Sequence, residues 1–361
     1  MEISKIRMEN MGIETKNILI LGNLGYVGPE LTKLLRTNYP GYTLTGYDCG
    51  FFSKFYTTDL FAPDNLLDVQ IYGDVRKAEN LDLSKYESII ALAAISNDPI
   101  GNKFEALTID VNCDSLVKIA ERAKKQGVKS FVFASSCSVY GFAEEGDRTE
   151  ISEVNPLTAY AKSKVKAEVE LEKIATSDFK VTCLRFATAC GISDRLRLDL
   201  VLNDFVACAI ANNHIEILSD GRPWRPLINV RDMGRAIDWA IHRDTEDSFV
   251  LVNAGSNEWN YQVRELAEAV KEIFPTITIS INENAAPDKR SYRVNFDEFK
   301  RIAPNHQPIH SLKQTILELK EGLEKINFDD KNFRNSNLIR LNVVNQLIEQ
   351  GKVDKDLYVI R

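Results

Sequence analysis

The chain has 361 residues, with 45 Lys and Arg against 52 Asp and Glu, giving a formal net charge of −7. At 44% hydrophobic and 27% charged, with 18 Gly and 11 Pro, its composition is that of a globular protein of about two domains, which excludes disordered, collagenous and repeat architectures. An acidic chain is a poor match for the phosphate backbone of nucleic acid, so any anionic ligand has to be met by local arginine clusters. Residues 1–16 carry mixed charges with no apolar core of a secretory signal, and no run reaches 18 apolar residues. A cytoplasmic protein with no membrane or nucleic-acid partner is expected. Cys49, Cys113, Cys137, Cys183, Cys190 and Cys208 form no C-x-x-C pair and read as small buried residues in a reducing compartment. His306 and His310 have helical metal spacing, but Pro308 lies between them, so no metal is expected.

In chain order, residues 17–21 form a short, almost wholly apolar run, the pattern of a parallel strand buried on both faces. A helical pattern through Leu31, Leu34 and Leu35 follows it. Further strands are expected at 42–47, 69–72, 88–92, 130–134 and 180–186, with helices at 104–125 and 159–174. Strands alternating with helices predict an α/β fold, a Rossmann-type doubly wound parallel sheet. After Thr188 the rhythm changes: a helix at 198–210, a short strand near Ile215, an Arg-rich stretch at 222–235 and a last sheet strand at 248–253. Helices at 262–273, 312–326 and 338–350 complete the chain. The expected organisation is a dinucleotide-binding domain at 17–190, to which 226–257 returns, and a smaller mixed α/β substrate domain at 191–225 and 258–327. Residues 328–361 read as a helical extension that covers the cleft or a partner surface.

The first motif is Gly22-Asn23-Leu24-Gly25-Tyr26-Val27-Gly28, between the first strand and its helix. There, glycines let the backbone approach a pyrophosphate, and the helix N-terminus supplies N–H groups and positive dipole. Asp48 ends the second strand 20 residues beyond Gly28, placed to accept hydrogen bonds from an adenosine ribose. A carboxylate there repels a 2′-phosphate, so the cofactor read from the motif is NAD rather than NADP.

The second motif is Ser135-Ser136-Cys137-Ser138-Val139-Tyr140-Gly141, followed 24 residues past Ser136 by Tyr160-Ala161-Lys162-Ser163-Lys164. On a helix, Tyr160 and Lys164 share one face, a turn apart. A free phenol, with a pKa near 10, is a poor base at neutral pH. A neighbouring ammonium and an oxidised nicotinamide favour its phenolate. Tyr160 can then take a hydroxyl proton while the attached carbon gives hydride to NAD, with Ser136 hydrogen-bonded to the same oxygen. After the fourth strand, Ile95-Ser96-Asn97-Asp98-Pro99 opens on the crevice at the strand ends, where Ser96 and Asn97 offer groups suited to sugar hydroxyls.

These motifs resemble the extended short-chain dehydrogenase/reductase family, and within it the NAD-dependent nucleotide-sugar epimerases and dehydratases, over roughly residues 17–325. The resemblance implies that Gly73-Asp74-Val75 is an adenine-contacting turn, that Leu92-Ala93-Ala94 lies beside the cofactor and that Asn112 braces the active-site strands. It places Arg185-Phe186-Ala187-Thr188 near nicotinamide and substrate, with Thr188 where the family has asparagine. It also implies that Arg225, in Asp220-Gly221-Arg222-Pro223-Trp224-Arg225, grips a substrate diphosphate. Arg290 is a second diphosphate candidate, and Asn203 a contact to phosphate or sugar. Arg231 and Arg235 read as surface charges, while Arg195 and Arg197 are left without assignment. A 4,6-dehydratase of this family carries Asp-Glu directly after the Ser/Thr; here those positions are Cys137 and Ser138. A 4-epimerase needs no further acid or base, and Cys137 is the one candidate base for a 3,5-epimerase. The implied activity is therefore C4 epimerisation of a nucleotide-diphosphate sugar through a keto intermediate. The alternatives are a C4 dehydrogenase or ketoreductase and a non-catalytic NAD-sensing regulator. A homodimer is the implied assembly.

Overall fold

The computed structural model describes residues 14–55, 57, 63–96, 98–143, 146–244, 246–285 and 291–360. Seven strands form its central sheet: β1 (Asn17–Leu21), β2 (Thr43–Asp48), β3 (Val69–Tyr72), β4 (Ser88–Ala91), β5 (Ser130–Ser136), β6 (Lys180–Phe186) and β7 (Phe249–Ala254). They lie in the order β7-β6-β5-β4-β1-β2-β3, and every pairing is parallel. The order reverses between β1 and β4. At that reversal the connecting chains leave in opposite directions and a crevice opens beyond the strand C-termini.

The longer helices are α1 (Gly28–Asn38), α2 (Ser115–Lys125), α3 (Ala159–Ile174), α4 (Val201–Asn212), α5 (Val230–His242), α6 (Val263–Ile273), α7 (Leu312–Lys325) and α8 (Arg340–Glu349). Side chains alternate across a strand, and β1 is apolar on both sides. Ile18 and Ile20 join the core that holds Leu31 and Leu35 of α1 and Ile237 of α5. Leu19 and Leu21 join the opposite core, with Ile119 of α2 and Leu171 of α3. The strand at 248–253 anticipated from sequence is β7, paired with β6 at the sheet edge.

The expected continuous helix at 104–125 is broken. It consists of Glu105–Ile109, a π-helical turn at Asp110–Asp114, and then α2. The wide turn is where Asn112 points inward, the usual setting of such bulges near functional sites. A second apolar core joins α4, α6 and α7 through Leu202, Val206, Leu266, Val270, Ile316 and Leu319. The C-terminal segment takes part in two apolar clusters. Phe333 enters this second core, whereas Val344, Val353 and Leu357 form a separate cluster with Ile100, against Phe52 and Ile95 from the loops after β2 and β4. No helix among the described residues is long and apolar enough to cross a membrane.

Candidate active site

One cleft of about 840 Å³ takes in Asp48, Tyr26, Tyr160 and Arg225. Its floor is the turn between β1 and α1. Gly22 has φ +83°, and a Cβ there would lie 2.4 Å from the backbone nitrogen of Ala93, so only glycine allows β1 to close against the end of β4. At Gly28 a Cβ would meet the Asn23 carbonyl oxygen at 1.9 Å. No side chain caps the start of α1, which leaves its first N–H groups and its dipole for an anion. The Asp48 carboxylate accepts from the N–H of Leu24 at 3.1 Å and of Gly50 at 2.8 Å, with lone pairs to spare for a ribose. Burial raises its pKa, and the two N–H donors act against that rise. A cradle that only glycine fits, an uncapped helix start and this carboxylate together fit a dinucleotide.

Gly22, Gly25, Tyr26 and Val27 line the cleft, as do Asp74 and Val75, and Leu92, Ala93 and Ala94 form the wall at the end of β4. Asn23, Leu24 and Gly28, the other expected cofactor contacts, belong to the same turn but are not among the cleft-lining residues. Asn23 and Leu24 are buried, with Asn23 Nδ2 donating to Gln70 Oε1 at 2.6 Å; they build the turn from behind. Asp74 is bound by Arg76, whose Nε donates to both carboxylate oxygens at 3.0 Å.

The catalytic-motif residues converge on the same cleft. Thr158 accepts from the Ala161 N–H at 3.2 Å and so fixes the first turn of α3, which carries Tyr160. One turn on, Lys164 is 2% exposed. Its Nζ donates to the Ala134 carbonyl at 2.7 Å and lies 5.5 Å from the Tyr160 ring centre. Burial pulls its pKa down to about 7. Ser136 ends β5, and its Oγ accepts from the Ser138 N–H at 3.2 Å.

Two buried braces hold this arrangement. Asn112 accepts from the Ile95 N–H at 2.7 Å and donates to Ser163 Oγ at 3.1 Å, tying the loop after β4 to α3. It does not line the cleft. Its amide is taken up by these bonds within the fold. Glu168, one turn beyond Lys164, takes a bidentate bond from Arg185 at 3.0 and 2.7 Å and accepts from the Ser135 hydroxyl.

On the substrate side, Thr188, Ser96 and Arg225 line the cleft. Ser96 Oγ accepts from Arg197 Nη1 at 3.1 Å. Asn203 does not line it. Its Oδ1 accepts from the Gly191 N–H at 2.9 Å, and its Nδ2 donates to the Arg197 carbonyl at 2.9 Å, so its amide is spent on a buried loop rather than on a ligand. Asn97 and Arg290 lie outside the described residues. Cys137 is excluded as a base: it is fully buried and donates to the Arg185 carbonyl at 3.0 Å, and burial pushes its thiol well above the ordinary range.

Sequence reasoning missed three groups. Ser138 lines the cleft, and its buried Oγ has no partner among the described residues. Arg197 and Arg340 also line the cleft, both almost fully buried. The alternation Arg195-Leu196-Arg197-Leu198 is a signal that the first arginine pair is not a surface run. For Arg340 no signal exists, because the fold brings it in from a distant segment. Among the described residues, no group of His, Cys, Asp and Glu is placed to hold a metal.

Residues 18–255 match the NAD dependent epimerase/dehydratase family. An Escherichia coli O157:H7 protein, N-acetyl-alpha-D-glucosaminyl-diphospho-ditrans,octacis-undecaprenol 4-epimerase, is 30% identical over 159 residues, 44% of this chain and 43% of the relative, so the match spans less than half of that relative's length. Two solved structures share the fold. MoeE5 in complex with UDP-glucose and NAD superposes with a TM-score of 0.71 at 21% identity, covering 86% of this chain and 99% of the other. TunA, an NAD-dependent NDP-hexosamine 5,6-dehydratase, superposes at 0.75 and 22% identity, covering 87% and 100%. With two-thirds of its length matched and the glycine turn, Asp48, Ser136, Tyr160 and Lys164 gathered in one cleft, the chain belongs to the NAD-dependent epimerase/dehydratase family.

Proposed function

We propose that the protein is a nucleotide-sugar epimerase that inverts C4 through a transient keto sugar, retaining NAD between turnovers. NAD supplies the hydride acceptor and, later in the same cycle, the donor. Tyr160 takes the proton from the sugar hydroxyl, Ser136 holds that oxygen, and Lys164 behind the phenol exchanges a proton with it. Thr188 and Ser138 offer hydrogen bonds to the sugar, and Arg225 a guanidinium to its diphosphate. In this reading residues 17–190 and 226–257 hold the cofactor, and residues 191–225 and 258–327 hold the sugar nucleotide.

The observation that carries it is the chemistry of the two residues after Ser136. Elimination of water across C5–C6 needs an additional acid and base, and the two positions hold a buried, protonated Cys137 and the neutral Ser138. Epimerisation needs neither. Against a dehydrogenase that exchanges its cofactor stands the C-terminal segment, whose Arg340, Val344 and Leu357 wall the cleft at the cofactor end.

Incubating the purified protein with UDP-, GDP-, CDP- and dTDP-sugars tests this. An isomeric product without net NADH is expected from at least one of them. Stoichiometric NADH, or a product lighter by one water, overturns the epimerase reading. No turnover with any, alongside bound NAD, favours a sensor.

A further inference from the structure

Arg340 opens α8, in the segment beyond the part of the chain matched to the family, and is 4% exposed. Its guanidinium lies 4.1 Å from the centre of the Phe52 ring, and its Nη2 donates to the Arg195 carbonyl at 2.9 Å. Among the described residues its buried Nη1 has no partner. The neighbouring arginines are neutralised: Arg195 pairs with Asp64 at 2.7 Å and Arg197 with Asp199 at 3.0 Å. No carboxylate within ion-pair distance of Arg340 is found among the described residues. A buried guanidinium without a counter-ion is costly. Burial, reinforced by Arg197, pulls its pKa down to about 9. A site of this kind is completed by an anion.

Its position indicates which anion. Phe52 belongs to the loop that follows Asp48, the ribose acceptor, and Asp48 is among the charges that act on Arg340. Arg340, Phe52 and Asp48 line the same cleft as the α1-turn residues Gly22, Gly25 and Tyr26. In a dinucleotide held there, the anionic group between the ribose at Asp48 and the nicotinamide is the diphosphate. Arg225, the candidate for the substrate diphosphate, comes from the strand Trp224–Asn229 instead. The end of the chain is fastened over the same region: Arg76 Nη1 donates to the Asp356 carbonyl at 2.7 Å and Nη2 to that of Leu357 at 3.1 Å, with the guanidinium 3.7 Å from the Tyr358 ring centre.

We propose that Arg340 binds the diphosphate of NAD, which makes the C-terminal extension part of the cofactor site. This rests on the cofactor placement described above. A bidentate guanidinium adds a cation to a site where the α1 turn offers only backbone N–H groups and a helix dipole.

The test uses the full chain freed of NAD, with ADP-ribose and UDP as calorimetric probes for the cofactor and substrate diphosphates. Arg340→Met should weaken ADP-ribose binding tenfold or more and leave UDP within twofold, and Arg340→Lys should restore part of the loss. Weakened UDP with unchanged ADP-ribose, or no change in either, overturns the proposal. A melting curve separates ligand binding from a structural role. Ligand-free Arg340→Met should melt no lower than the parent protein, because it loses a buried unpaired charge, while the shift produced by ADP-ribose shrinks. A lower ligand-free melt with an undiminished shift overturns the assignment. Failure of the parent protein itself to bind ADP-ribose overturns the cofactor placement, and the proposal with it.

Discussion

Glu168 and Arg185 form a bidentate ion pair in which both side chains are 5% exposed. The pair clamps α3 to β6, and α3 carries Tyr160 and Lys164. Through Ser135, which donates to Glu168, the clamp also reaches β5 beside Ser136. Removing one partner leaves the other as a buried, uncompensated charge, which costs about 3–5 kcal/mol. Glu168→Ala should therefore lower the stability in denaturant unfolding by roughly that amount. Activity should fall with it, since the helix and strand that present the catalytic groups lose their tie. A change below about 1 kcal/mol, the range of exposed pairs, would show that the clamp is not what holds α3.

The Tyr160 hydroxyl is the group assigned to proton transfer, and general bases of this kind contribute about 10²–10⁴-fold. Tyr160→Phe should reduce turnover by at least 10²-fold while NAD remains bound after purification, read as cofactor per chain by mass spectrometry. Turnover within a few-fold of the parent enzyme would remove Tyr160 from its role.

Lys164 titrates near pH 7 because its ammonium is buried. Once Lys164 has lost a proton it can accept the phenol's, so the pair with one proton fewer is the competent form. The rate should rise with pH through about 7 and then level off. In Lys164→Met the rising limb should move toward the range of an ordinary phenol, about 10. Stability follows the same sign. Between about 7 and the ordinary lysine value near 10.4, the unfolded chain binds more protons than the folded one, so stability increases with pH across that window. Lys164→Met should flatten this slope in denaturant unfolding measured from pH 6 to 9.

Ser138 Oγ has no partner among the described residues to lose. Ser138→Ala should leave the melting temperature unchanged while lowering kcat/KM about tenfold, the effect of one hydrogen bond of about 1.4 kcal/mol to the sugar. A lower melting temperature with intact kinetics would make the hydroxyl structural.

Asp48 accepts from two backbone N–H groups and remains open to the cleft. Asp48→Asn removes the charge that repels a 2′-phosphate, so the ratio of NADP to NAD affinity should rise by tenfold or more. An unchanged ratio in fluorescence titrations would show that specificity is set elsewhere.

The sequence determined the scaffold and the chemical core. An apolar run followed by spaced glycines, a terminal Asp48 and a Tyr160–Lys164 pair are local patterns, and the backbone geometry they require is set within one turn or one strand end. The runs at 17–21, 69–72, 180–186 and 159–174 are the elements observed, because periodicity and cap chemistry are themselves local. Tertiary structure decided what depends on neighbours from elsewhere in the chain. Asn112 sits in a π-helical turn because its amide serves Ile95 and Ser163, which no helical period foretells. Asn203 is polar and near the cleft in sequence terms, yet its hydrogen bonds are consumed by Gly191 and Arg197. Arg340 lies 292 residues after Asp48 in sequence, yet the fold sets both into one cleft wall. Only the packing of the C-terminal segment against Phe52 and Arg76 brings that charge to the cofactor end. Burial, which sets the titration of Lys164 and the missing counter-ion of Arg340, is a property of the folded whole.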